Sequence, residues 1–207
     1  MAAKSRSRGG RAFERQLPEA RQLELIEATI ECLKRFGHEG LSIRRIAAQA
    51  GVSIGLINHH FPNKNGLVAQ AYVHFNSQLF RKLRLAVEQA PPAPRKRLSA
   101  FLHASFSAPN LDQDVLAVWV VFWGMHRHSR EIQRVHEQAY GGYLALVHEL
   151  LEAAYREGER FPLELRLSAI GLTALLDGLW LEWCLNPRTF APDEAIALCE
   201  SWIGRRR

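Results

Sequence analysis

Apolar positions set the frame of this chain. Between Glu19 and Phe36 the residues Leu23, Ile26, Ile30 and Leu33 return at spacings of three and four, which predicts a helix with one apolar face. Pro18 precedes the run and Gly37 stops it. A tighter pattern follows in IRRIAAQAGVSIGLINHHF, Ile43 to Phe61. It reads as two short helices, Ile43–Ala50 and Ser53–His60, with Gly51 at the turn, where a left-handed backbone costs glycine least. Ala47 is small enough to let the two axes approach, and Ile46, Val52 and Ile57 supply apolar pins. Ser42 and Ser53 stand where N-caps belong. This is the pattern of a helix-turn-helix, whose second helix enters the DNA major groove; a plain αα-hairpin shares the Ala-to-Gly spacing alone.

FPNKNGL, Phe61 to Leu67, is a turn with Asn63 as N-cap. It opens a long helix through Leu67, Ala71, Phe75 and Leu79 to about Glu88, ended by the proline-rich stretch Ala90–Pro94. Further helices are expected near Arg95–Ser107, Asp112–His128, Arg130–Glu157, Leu163–Leu185 and Ala191–Gly204, with Pro162 and Pro192 at helix starts. No strand alternation and no internal repeat interrupts them. The predicted fold is all-α, a three-helix headpiece followed by a helical-bundle body. Residues 1–18 form a basic arm, 19–66 the helix-turn-helix domain, and 67–207 the effector-binding and dimerisation domain.

The run Leu163–Leu185 is apolar nearly all round, so burial on more than one side is expected. Gly171, Ala174 and Gly178 permit close approach of another helix, and Ile196, Cys199, Trp202 and Ile203 form a stripe on the last helix. These surfaces predict a homodimer joined through the last two helices; completion of the monomer core is the other reading.

Charge sharpens the picture. The 207 residues carry a formal charge of +6, and residues 1–66 hold 11 Lys/Arg against 6 Asp/Glu. Nearly all the excess sits with the helix-turn-helix, as an anionic partner requires. The basic arm reads either as a disordered terminus or as a phosphate or minor-groove contact. Cys32, Cys184 and Cys199 lack CxxC spacing, which predicts neither disulfides nor zinc and a reducing compartment. No apolar run follows the basic start, and Val115–Met125 is too short to span a bilayer, so a cytoplasmic protein without a membrane partner is expected. GxGxxG, P-loop, HExxH and GxSxG motifs do not occur, which argues against an enzyme. His126, His128 and His136 have no matching carboxylate or cysteine cluster and read as exposed helix histidines. No metal or cofactor is expected.

A candidate effector site comes from the aromatics. Trp119 and Trp123 are four apart and share a face, as do Asp177 and Trp180, three apart. Asp177 is the sole acid in Leu167–Leu181, and a buried carboxylate needs a partner. A quaternary ammonium held by aromatic faces would supply one, at roughly 0.5–2 kcal/mol per ring. Phe106, Phe122 and Tyr140 could complete such a cage. Core filling by the tryptophans, with Asp177 in a hydrogen-bond network, fits the same residues.

SIRRIAAQAGVSIGLINHHFPNKNGL resembles the headpiece of TetR-family transcriptional repressors. AVWVVFWGMHRHSREIQRVHEQAYGGYLALVHELL and LTALLDGLWLEWCLNP resemble the choline-responsive regulators of the BetI type. The resemblance covers about residues 20–203. It implies a dimeric all-α repressor that binds a palindromic double-stranded operator and leaves it when a small effector, choline or a relative, enters the body. It places Ser42, Arg44, Ser53, Ile54, Gly55, Asn58 and His59 towards DNA, with His60 and Lys64 towards phosphates. Tyrosine is usual at the position of His60, so an imidazole here replaces a phenol. A multidrug-type regulator answering lipophilic cations is the alternative.

Overall fold

The computed structural model describes residues 18–204, in nine α-helices and without a strand among those residues. The basic arm lies outside the described residues except for Pro18. The headpiece comprises α1 (Pro18–Phe36), α2 (Ile43–Ala50) and α3 (Ile54–His60). The body comprises α4 (Lys64–Gln89), α5 (Pro94–Ser105), α6 (Gln113–His126), α7 (Arg130–Arg156), α8 (Leu165–Leu185) and α9 (Pro192–Gly204).

Local chemistry sets the boundaries. Ser42 and Ser53 accept hydrogen bonds from the Arg45 and Leu56 amides at 3.3 and 3.2 Å, and Asn63 accepts from the Gly66 amide at 2.8 Å. Asp112 and Ser129 cap α6 and α7 in the same way. Gly51 adopts φ +66° and returns its amide to carbonyls of α2, closing the turn with the left-handed geometry that glycine favours. Ile46 and Ile57 are fully buried, and Ala47 nearly so.

One expectation changes in part, at Leu23 of α1, while Ile26, Ile30 and Leu33 face the headpiece cluster as expected. The core face of α1 is Leu25, Ala28, Thr29, Cys32 and Leu33, with Ile30 beside it, while Leu23 is 40% exposed. The true stripe keeps the three-and-four spacing, but Ala, Thr and Cys carry too little apolar weight to draw the eye. Helix α8 is covered on one side, by Ser168, Ala169, Leu172, Thr173 and Leu176. Its opposite side, Leu167, Ile170, Ala174, Gly178 and Leu181, is open in the single chain, with Leu163 and Leu185 at its ends. The helix is long and apolar enough to cross a membrane by length and composition. Gly171 is used internally, since a Cβ there would lie 2.7 Å from the Trp202 ring of α9.

Two apolar clusters divide the interior. The body cluster joins α5, α7, α8 and α9 with the end of α4. The headpiece cluster includes the first turns of α4 and extends into Val118, Phe122 and Met125 of α6 and Ile132 of α7. With Leu116 of α6 in the body cluster, helices α4, α6 and α7 belong to both halves, which positions them to couple a body site to the headpiece.

Candidate DNA interface and effector pocket

The short helix α3 is anchored by Ile57 and leaves Ile54, Gly55, Asn58 and His59 exposed, with Ser53 exposed at its cap. A Cβ on Gly55 would meet nothing nearer than the Ser53 hydroxyl at 3.9 Å, so internal packing does not demand glycine there. His60 is half-buried, its ring edge-on to His59 at 5.2 Å. On the supporting side Ser42 and Arg44 are exposed. Arg45 differs from its neighbour: its guanidinium donates to the Gly40 carbonyl and lies over Phe36 at 4.7 Å, which ties α2 to the end of α1. Lys64 donates to the Leu41 carbonyl at 3.5 Å, so its ammonium stands beside Ser42. The capping oxygens of Ser42 and Ser53 still carry a hydroxyl proton to donate outward.

In the body, Tyr72 of α4, Trp119 and Trp123 of α6, His136 and Tyr140 of α7, and Asp177 and Trp180 of α8 surround a pocket of about 230 Å³. Five of the seven predicted effector residues thus converge: Trp119, Trp123, Tyr140, Asp177 and Trp180. Phe106 and Phe122 do not line it. Phe106 follows α5 and is buried in the body cluster. Phe122 points to the headpiece, with its ring 4.5 Å from that of Tyr72. One residue before Trp123 is about 100° around the helix, and Phe122 takes the headpiece side.

The walls are held by specific contacts. Trp119 and Trp123 have ring centroids 6.1 Å apart, and Tyr72 meets Trp119 edge-on at 5.6 Å. Trp180 donates its indole N–H to the Ser105 carbonyl at 3.1 Å, which turns the ring's π-face rather than its polar edge to other partners. His136 stacks on Tyr140 at 5.7 Å, and its Nδ1 is 2.9 Å from the Tyr72 hydroxyl. His136 is therefore a half-buried wall residue, contrary to the expectation of an exposed helix histidine, and so is not free on the surface as His128 is. Its spacing of four from Tyr140 was the available signal. Tyr72 was hidden within the apolar face of α4. Among the described residues no group of three His, Cys, Asp or Glu side chains is placed to hold a metal.

Burial pushes the Asp177 carboxyl up to about 6. No hydrogen bond or ion pair to Asp177 exists among the described residues. Burial and the nearby His126 pull His136 below its ordinary value, so the imidazole is neutral at pH 7 and adds no positive charge to the pocket. The site offers one uncompensated acid among aromatic faces.

Known proteins agree with this architecture. Residues 25–71 match the model for bacterial regulatory proteins of the tetR family, and residues 94–206 match the C-terminal domain of BetI-type transcriptional repressors. The HTH-type transcriptional regulator BetI of Serratia proteamaculans is 31% identical over 188 residues, covering 88% of this chain and 90% of that protein. BetI of Pseudomonas aeruginosa is 30% identical over 190 residues, covering 90% of this chain and 92% of that protein. A crystal structure of a transcriptional regulator from Pseudomonas aeruginosa superposes with a TM-score of 0.84 at 49% identity, over 92% of each chain. A regulator from Saccharomonospora viridis, solved in complex with choline, shares the fold with a TM-score of 0.80 at 22% identity, over 92% of this chain and 100% of that one. From its headpiece through its body, this chain belongs to the TetR family of transcriptional repressors and carries the C-terminal domain of the BetI type.

Proposed function

We propose that this repressor acts as a homodimer on a palindromic operator and releases it when a small quaternary ammonium compound, choline or a close relative, occupies the α4–α6–α7–α8 pocket. The observation that carries the reading is Asp177, a carboxylate buried enough to be raised to about 6 and without a cationic partner among the described residues. A permanent cation with no N–H groups suits a site with one acid and several π-faces, because it asks for charge and contact rather than directed hydrogen bonds. The choline held by the Saccharomonospora viridis relative is the same chemistry on the same fold. The volume, about 230 Å³, lies below the roughly 300–1,000 Å³ of pockets for drug-sized ligands, which favours a small metabolite over lipophilic drugs.

The DNA-facing assignments of Ser42, Arg44, Ser53, Ile54, Gly55, Asn58, His59, His60 and Lys64 are part of this proposal. Asn58 has the donor and acceptor pair suited to adenine, and His59 can donate to guanine. The exposed stripe on α8, together with α9, supplies the self-complementary face for a two-fold dimer. A repressor of this kind works beside its DNA, in the cytoplasm, and by binding rather than catalysis.

Release follows from shared walls. A ligand touching Tyr72 and the Trp119–Trp123 pair touches two of the helices that also build the headpiece core. Matched half-sites require recognition helices about 34–36 Å apart, so tilting α4 and α6 favours dissociation. The effector must bind the released conformation more tightly than the DNA-bound one. The test is a titration of intrinsic tryptophan fluorescence with choline, followed by operator release in a mobility-shift assay. Saturable quenching and release, both lost in Asp177→Ala, support the reading; no response at millimolar choline refutes the effector assignment.

A further inference from the structure

A second chamber opens beside the aromatic pocket. It measures about 50 Å³, shares Trp119, Tyr140 and Trp180 with the larger pocket, and is otherwise walled by apolar groups of α4, α6 and α7. Three further polar residues line it, Asn76, Asn110 and Tyr143, of which the last two carry buried polar atoms without a partner. Asn110 is 7% exposed. Its Nδ2 donates to the Ala104 carbonyl at 2.9 Å, which fixes the amide orientation and leaves Oδ1 buried without a partner. The Tyr143 hydroxyl is likewise buried without a partner. Buried polar atoms are normally satisfied, and an unpaired one costs as much as a lost hydrogen bond. Two residues of one small chamber each carry such an atom, one an acceptor and the other able to donate or accept, a pair suited to a group that does both.

We infer that Asn110 and Tyr143 recognise a hydroxyl on a short arm of the cationic effector. The inference rests on the cation reading of the neighbouring pocket and adds the identity of the arm. The hydroxyl donates to Asn110 Oδ1 and accepts from the Tyr143 O–H. The chamber has about a fifth of the larger pocket's volume, 50 against 230 Å³, so the arm it takes is short. A carboxylate arm fits poorly. It has no proton to give Oδ1, and it would bring a negative charge towards Asp177 and beside the Tyr143 phenol, which burial first and the Asp177 charge second hold well above its ordinary value.

The experiment is fluorescence titration of the full chain with four probes: tetramethylammonium, choline, n-propyltrimethylammonium (choline with methyl in place of hydroxyl) and glycine betaine. The wild type should bind choline about 10- to 100-fold more tightly than the propyl compound, the range set by leaving buried polar atoms unpaired. Glycine betaine should bind more weakly than the propyl compound. Tyr143→Phe, which keeps the ring, should reduce the choline preference to a few-fold without changing tetramethylammonium affinity. Asn110→Leu should do the same, its fold checked by a thermal melt. Equal affinity of the wild type for choline and the propyl compound overturns the inference, as does a preference that survives in Tyr143→Phe. If tetramethylammonium and choline both fail to bind, the cation reading of the larger pocket falls, and this inference falls with it. If tetramethylammonium binds but the hydroxyl is ignored, only the arm is refuted.

Discussion

Replacing Asp177 by asparagine keeps the side-chain shape and removes its charge. Burial holds the carboxyl at about 6, against a reference value of 3.8. At about 1.36 kcal/mol per tenfold change in proton affinity, the ionised carboxylate costs the ligand-free fold roughly 2–3 kcal/mol at pH 7. The folded-state value lies above the unfolded one, so the fold holds this proton more tightly than the unfolded chain does. Its contribution to stability is present in full below about pH 4 and is lost as pH rises through about 6. Asparagine removes that dependence. The variant should exceed the parent by roughly 2–3 kcal/mol at pH 7, about half as much at pH 5, and little at pH 4. For a chain of this size the pH 7 difference corresponds to a rise in Tm of roughly 4–12 °C. Calorimetry from pH 4 to 7.5 without effector measures it, at one fixed protein concentration because a dimer's midpoint depends on concentration. The same variant should lose saturable binding of choline. A variant less stable than the parent at pH 7, or an offset independent of pH, would mean that Asp177 already has a stabilising partner, and the cation-site reasoning would be refuted.

Four further outcomes are expected. Choline affinity of the wild type should fall about tenfold between pH 7 and pH 5 as Asp177 takes up its proton in the empty site; a flat profile in the fluorescence titration contradicts this. Gly171→Val should destabilise the protein by about 1–3 kcal/mol in a thermal melt, because a Cβ 2.7 Å from the Trp202 ring forces α8 and α9 apart. Leu167→Glu, placed on the open side of α8 where Leu167 is 40% exposed, should yield monomers in sedimentation analysis and weaken operator binding. Asn58→Ala should cost about 1–3 kcal/mol and relax preference at one operator position, whereas Lys64→Ala should weaken all sequences alike and lower the salt slope by about one; identical behaviour of the two variants would undo the split between base reading and phosphate contact.

Much of the fold was legible because its punctuation is chemical. Ser42, Ser53 and Asn63 cap helices where their side chains and positions required it, and Gly51 turns left-handed where the pattern broke. The helix ends differ from expectation by at most two residues, as fraying ends do. The face of α1 was read only in part: Ile26, Ile30 and Leu33 pack inward, Leu23 does not, and Ala28, Thr29 and Cys32 were passed over because they pack well without being strongly apolar. In the pocket, spacing brought out Trp119 with Trp123 and Asp177 with Trp180, but spacing is local to one helix. It could not say that Phe122 turns towards the headpiece, that Tyr72 of α4 meets His136 of α7 at 2.9 Å, or that Asn110 would be left with an idle carbonyl. Those facts come from contacts across helices, which a periodicity does not encode.

The double membership of α4 has an evolutionary consequence. Tyr72 and Asn76 line the two chambers from the same rigid rod whose first turn, at Lys64, follows the recognition helix. Eight residues at 1.5 Å each separate Lys64 from Tyr72, a distance of about 12 Å. A mutation at either wall position therefore alters ligand choice and operator geometry in one step, and selection on one trait drags the other. Asp177 and Trp180 line the pocket from α8 instead, which has no residue in the headpiece cluster, so changes there can retune the ligand with the headpiece left alone. Descendants of this chain that acquire new ligands while keeping an ancestral operator should carry their substitutions on α8 before they carry them on α4.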